Sequence, residues 1–146
     1  MCSSDLKTGL ELTTISQLLY PLDERAKRFP MPAGGLFSTA ADVAKFCQML
    51  LNGGELNGKR FLSAAALKEL TRRQTPETLK ESYGLGFGVG GGGFGHGGAL
   101  ATNMNIDPAR GLIIVWLVQH QGFPGEGGKA QGVFRKTAEE QFAKQP

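Results

Sequence analysis

Tyr83-Gly84-Leu85-Gly86-Phe87-Gly88-Val89-Gly90-Gly91-Gly92-Gly93-Phe94-Gly95-His96-Gly97-Gly98 is the stretch on which the reading of this chain turns. Tyr83 to Val89 alternates glycine with larger residues and reads as one strand. Gly95 to Ile106 reads as a second strand, with the glycine run Gly90 to Gly93 as a flexible hairpin loop. Asp107-Pro108-Ala109-Arg110-Gly111 has the residues of a type I turn followed by a bulge. Leu112 to Val118 is then a third strand. A histidine followed by two glycines lets another group approach the backbone N–H groups, since no side chain stands in the way. Such an edge suits stabilisation of a developing oxyanion.

Working outward, Leu112-Ile113-Ile114-Val115-Trp116-Leu117-Val118 is continuously apolar, so both of its faces are expected to be covered. Upstream, Thr39 and Asp42 have capping-box spacing, and Val43, Phe46, Cys47 and Leu50 follow at helical intervals. Asn52-Gly53-Gly54 ends that helix, and Asn57-Gly58 is a tight turn. Ser63 caps a second helix running to about Arg73, with Leu67 and Leu70 inward. Gly122 to Gly128 is a loop. A last helix from about Lys129 to Lys144 would turn Ala130, Val133, Phe134, Thr137 and Phe142 to a core. Residues 1–32, with Pro21, Pro30 and Pro32, read as an extended lead-in. The fold class is α+β: three antiparallel strands of a larger sheet packed with helices. Three strands are few for a sheet that must bury an unbroken apolar strand, which points to an incomplete sheet with an open edge.

Bulk properties exclude several classes. With 146 residues, 40% hydrophobic and 20% charged, the chain has one domain's worth of ordinary globular sequence. The net charge of +3 is mild and its basic residues are scattered. Arg72-Arg73 is the tightest pair and reads as a solvated face, so no nucleic-acid partner is implied. The longest apolar run is too short to cross a bilayer, and no signal-peptide pattern is visible. Cys47 reads as a small core hydrophobe, and thiol usage leaves the compartment undetermined. Gly86, Gly88 and Gly91 spell Gly-x-Gly-x-x-Gly, but a strand follows where a dinucleotide site needs a helix. Two histidines without a Cys/His cluster give no zinc site.

Four segments in order carry a resemblance: Pro32-Ala33-Gly34-Gly35-Leu36-Phe37-Ser38-Thr39-Ala40-Ala41-Asp42, Tyr83 to Phe87, Gly95-His96-Gly97-Gly98, and Ile113 to Leu117. Together they resemble the C-terminal half of the serine beta-lactamase-like hydrolases, a group of class C beta-lactamases, esterases and D-Ala-D-Ala peptidases. The similarity runs from about Leu10 to Phe142. In that family a Ser-x-x-Lys supplies nucleophile and base, a Tyr-x-Asn assists proton transfer, and a Lys-Thr-Gly or His-containing variant lies on a sheet strand. His96-Gly97-Gly98 matches the third motif. The resemblance implies that the Ala99 N–H donates to the oxyanion, a contribution of roughly 3–4 kcal/mol in acyl transfer. Gly97 and Gly98 would let substrate lie along the strand, and His96 would orient substrate or move protons. Gly34 would match a substrate-wall position, and His120, flanked by Gln119 and Gln121, a place at the substrate rim; a turn glycine and an exposed strand-end histidine are the plainer readings of these two.

The other two motifs are not credibly present. No Tyr-x-Asn occurs, and Ser4-Asp5-Leu6-Lys7 and Lys7-Thr8-Gly9 overlap without a preceding helix or strand to aim them. Residues 1–9 are expected to be a non-native or disordered lead, Cys2-Ser3-Ser4-Asp5-Leu6 matching the translation of a common sequencing adapter. Residues 10–146 are then the C-terminal portion of a serine hydrolase domain whose upstream half is missing. The function implied is part of a hydrolase acting on ester, amide or lactam bonds through an acyl-serine, inactive by itself. The alternative is a non-catalytic module of the same fold that holds a peptide or protein partner along a strand edge. Expected partners are a small-molecule or peptide substrate and, through the open sheet edge, a second copy of the chain. The resemblance implies that no metal or organic cofactor is needed, and parents of this kind are commonly exported.

Overall fold

A computed structural model describes residues 24–27, 32, 34, 36–118 and 127–143. The expectations for Ser4, Lys7, Gln119, His120 and Gln121 lie outside the described residues, as does most of the lead-in. After a 3-10 turn at Arg25–Lys27, helix α1 spans Ala40–Leu51. Thr39 caps it as its sequence predicts, Oγ1 accepting the Asp42 N–H at 3.2 Å. Val43, Cys47 and Leu50 meet the core, and Met49 joins them. Phe46 departs from expectation at 43% exposed. The described sheet meets the helix on its Val43–Cys47–Leu50 side and leaves Phe46 beside it uncovered.

Strands β1 (Glu55–Leu56) and β2 (Lys59–Arg60) form a small hairpin around Asn57 and Gly58, both with positive φ. Helix α2 covers Ala64–Thr71, with Ser63 Oγ accepting the Ala66 N–H at 3.1 Å. It ends two residues before the expected Arg73, because Arg72 turns extended.

The main sheet has four antiparallel strands in the order β3 (Gly88–Gly90), β4 (Gly93–Gly97), β5 (Asn103–Asp107), β6 (Leu112–Trp116), where three were expected. Two of the expected strands are divided. Tyr83 to Val89 is a tight reversal rather than one strand. Gly86 has φ +87°, the Gly84 N–H bonds to the Phe87 carbonyl at 2.8 Å, and Tyr83 bridges to Gly88. Gly95 to Ile106 breaks at Gly98, where a hairpin loop of Ala99, Leu100 and Ala101 reverses the chain. The Gly98 N–H bonds to Thr102 O at 2.8 Å, the Ala101 N–H bonds to Gly98 O at 3.0 Å, and Ala101 sits at φ +58°. That combination is the three-residue hairpin with a left-handed last residue, which needs no glycine signal to form. The expected flexible loop is a two-residue turn at Gly91 and Gly92, both with positive φ.

Register assigns the faces, since directly paired residues share one. Phe94 pairs with Ile106, His96 with Met104, Ile106 with Ile113 and Met104 with Val115, so these six lie on the α1 side. Ile106 is fully buried there, with Phe87 edge-on to Phe94 at 5.5 Å between centroids. Gly95 with Asn105, Gly97 with Asn103, Ile114 and Trp116 form the opposite face. Helix α3 (Gly127–Phe142) packs on β6, the Phe134 ring 5.1 Å from that of Trp116. Both faces of β6 are thus covered, as its unbroken apolar run implies.

Of the apolar face predicted for α3, Phe134 docks, while Ala130, Val133, Thr137 and Phe142 stay exposed. Val133 and Phe142 are 63% and 71% exposed, whereas Gln131, Ala138 and Glu139 are half-buried. A polar brace sets this rotation. Asp107 receives the Arg110 amide at 2.9 Å and the Arg110 Nε–H at 2.7 Å, while Arg110 reaches Glu139 at 3.5 Å.

Candidate functional site

The end of β4 carries four of the sequence-predicted residues, His96, Gly97, Gly98 and Ala99. Strand β3 pairs with Gly93, Phe94 and Gly95 and stops, while β5 continues to pair His96 and Gly97. From His96 onward, one edge of β4 is therefore free of β3. N–H groups alternate between edges along a strand, so with the Gly98 amide bonded towards Thr102, the Gly97 amide points to that open edge. Ala99 lies in the hairpin loop and not on a strand, as was expected. Among the described residues its amide has no hydrogen-bond partner. His96, Gly97, Gly98 and Ala99 are all exposed.

Close approach explains the glycines. A Cβ on Gly98 would lie 2.3 Å from Thr102 Oγ1, and one on Gly95 would lie 2.2 Å from Met104 O. At Gly97 a Cβ would make only ordinary contacts, with Asn103 Nδ2 at 3.5 Å and Thr102 O at 3.6 Å, so no described neighbour asks for glycine there.

His96 is held at both ring nitrogens. Its Nδ1 is bonded to the Gly97 carbonyl, and its Nε2 to the Tyr83 hydroxyl. The two rings stand nearly perpendicular, 5.6 Å apart. Tyr83 is in turn anchored through its backbone. Its N–H donates to Thr75 Oγ1 at 3.1 Å, and its carbonyl accepts the Gln74 N–H at 2.6 Å. Arg73 fixes that loop by donating to the carbonyls of Thr75, Pro76 and Leu79 at 2.8–3.0 Å. The solvated face expected of Arg72-Arg73 holds for Arg72, which is exposed and pairs with Glu69 at 2.6 Å, whereas Arg73 is a half-buried staple.

Tyr83 and Arg73 are the residues that sequence reasoning missed in the site. Tyr83 opens the quoted glycine stretch, but its 13-residue separation from His96 closes only through the β3–β4 hairpin. Gly34 occupies a half-buried turn ahead of α1, and none of the described hydrogen bonds ties it to β4. Away from the site, Cys47 lies beneath the sheet with its thiol against Met104 Sδ at 3.8 Å, and burial pushes it up to about 11. Among the described residues no group of three His, Cys, Asp or Glu side chains could hold a metal ion, and no helix is long and apolar enough to cross a membrane.

Residues 8–137 match the family model for beta-lactamase, so the chain belongs to the beta-lactamase family. It is similar to Protein Rv1367c and to Uncharacterized protein MT1414, from two strains of Mycobacterium tuberculosis. With each it shares 34% identity over 60% of this chain and 28% of the relative. Among solved structures it is similar to a penicillin-binding protein homolog from Caulobacter crescentus, at 25% identity over 53% of this chain and 24% of that one, with a TM-score of 0.46. The chain thus spans under a third of the length of the curated relatives it matches. Its fold is of the serine-hydrolase type.

Proposed function

We propose that the end of β4 is one wall of an acylation site for ester, amide or lactam carbonyls, and that these 146 residues do not turn such substrates over by themselves. The observation that carries the reading is the Ala99 amide. It is exposed, unpartnered among the described residues, and placed just past an open strand edge whose Gly97 amide points the same way a substrate would lie. In acyl transfer the carbonyl oxygen gains negative charge as the nucleophile adds. A fixed N–H at hydrogen-bond distance stabilises that charge more than it stabilises the ground state. His96 stands beside this donor, and Gly97 and Gly98 leave the strand clear for the acyl chain. Gly34 and His120 are proposed as outlying contacts to the substrate wall and rim. A non-catalytic module holding an extended peptide at the same edge is the second reading, favoured by the early stop of β3 at Gly95.

Inertness is tested with a chromogenic ester and a chromogenic lactam on the purified chain. No turnover above background is expected, since the only Ser-x-x-Lys spacing is Ser4-Asp5-Leu6-Lys7. Turnover that survives Ser4→Ala and vanishes with His96→Ala overturns it. The Ala99 role is tested in a chimera in which residues 8–137 replace the matching segment of an active family hydrolase. Ala99→Pro deletes the N–H at a turn position that proline's fixed φ fits, and should lower kcat by about 10²–10³-fold with little change in stability. An unchanged kcat removes Ala99 from the site.

We also infer that the outer edge of β6, which no described strand covers, pairs with a second copy of the chain.

A further inference from the structure

We propose that Tyr83 is a positioning residue for His96, holding the imidazole in its Nδ1–H tautomer at the open end of β4. The inference rests on the reading of this edge as a substrate wall. A carbonyl oxygen only accepts, so the bond from His96 Nδ1 to Gly97 O places the proton on Nδ1. The neutral ring then has a lone pair at Nε2, and that atom meets the Tyr83 hydroxyl, which donates to it. Both polar atoms of the imidazole are thereby occupied, and the edge-on packing of the rings fixes its rotation.

The pair is exposed at the site but rigidly based. Thr75 Oγ1 takes the Tyr83 N–H, the Gln74 amide donates to the Tyr83 carbonyl, and the Arg73 guanidinium pins the loop that carries Thr75. On the other side, the Gly97 carbonyl that receives Nδ1–H belongs to the strand whose next residues lead to the Ala99 amide. The Gly97 carbonyl therefore sets which imidazole nitrogen carries the proton, and the Tyr83 hydroxyl, donating to Nε2, holds the ring in that state. The polar atom the pair keeps for an incoming group is Tyr83 Oη, whose lone pairs accept.

The experiment uses the chain itself, labelled with [15N]histidine. Its two histidines are told apart with His120→Gln, and long-range 15N–1H correlation reads Nδ1 and Nε2 separately in the neutral ring. The expected result is a pyrrole-type Nδ1 and a pyridine-type Nε2 at His96. Tyr83→Phe, which removes the donor to Nε2, should move the Nε2 resonance of His96 while amide dispersion elsewhere is retained. Replacing tyrosine with 3-fluorotyrosine, which strengthens the phenol donor without removing it, should move the Nε2 resonance of His96. An Nε2–H imidazole in the unsubstituted chain overturns the proposal, as does an unmoved Nε2 in the fluorotyrosine chain. Neither reading depends on Tyr83→Phe folding. A failure of Ala99 to serve as oxyanion donor leaves these resonances untouched, so the two ideas stand or fall separately.

Discussion

At Gly95 the strand β4 comes so close to β5 that a Cβ would sit 2.2 Å from Met104 O and 3.0 Å from the Asn105 Cα. Backbone cannot swing aside as a flexible side chain can, so Gly95→Ala should cost about 1–3 kcal/mol, the range of an overpacked interior. Gly88, its partner across the β3–β4 ladder, would place a Cβ 3.6 Å from Gly95 O, an ordinary contact. Gly88→Ala should change stability by no more than about 0.5 kcal/mol. Urea unfolding of both variants checks the pair, and equal losses would show that the close approach to β5 does not set the cost at Gly95. Composition alone could not separate the two, since both are glycines in the same alternating run. Likewise, the Thr39 cap and the Asn57-Gly58 turn were legible because their bonds reach at most three residues along the chain. The Tyr83–His96 bond was not, because it depends on which strands pair.

At the element scale, the turn from Asp107 to Gly111 is both a local motif and the brace of α3. Asp107 is 6% exposed, and the Arg110 amide, then the Arg110 guanidinium, holds its carboxyl below the ordinary carboxylate range against the opposing effect of burial. The folded state therefore binds this proton less readily than the unfolded chain does, and protonation favours unfolding. The contribution is complete above the ordinary aspartate value and is lost as pH falls through the depressed one. Asp107→Asn should destabilise by about 1–3 kcal/mol above roughly pH 5, with the gap to the parent chain closing on acidification. Denaturation midpoints across a pH series give the answer; a gap that stays constant with pH would assign the loss to packing. Sequence reading placed this turn correctly. It misjudged the rest of the helix face the turn holds: of the expected apolar stripe of α3, Phe134 docks on Trp116 while Val133 and Phe142 stay exposed, and that pair and the Arg110–Glu139 contact are tertiary.

At the scale of the whole molecule, α1 closes one face of the sheet and α3 the other, so the ladder edges are what remain. Strand β6 is Leu112-Ile113-Ile114-Val115-Trp116, without a charge, proline or bulge to discourage pairing along its outer side. Sedimentation or light scattering over a range of concentrations should show reversible association of the purified chain. A compact monomer at every concentration would remove the paired-edge proposal and leave the β4 site unaffected, because that site opens at the other end of the strand order.

The chain's own order of residues determined the helix starts, the turn chemistry, the two-sided burial of β6 and the clustering of His96 with paired glycines, since each depends on neighbours a few positions apart. Tertiary structure alone decided where strands break, which face α3 presents, and that Tyr83 reaches His96. Those outcomes follow from pairing register and packing between distant segments, where a one-residue change of register would exchange every side chain between the α1 and α3 faces.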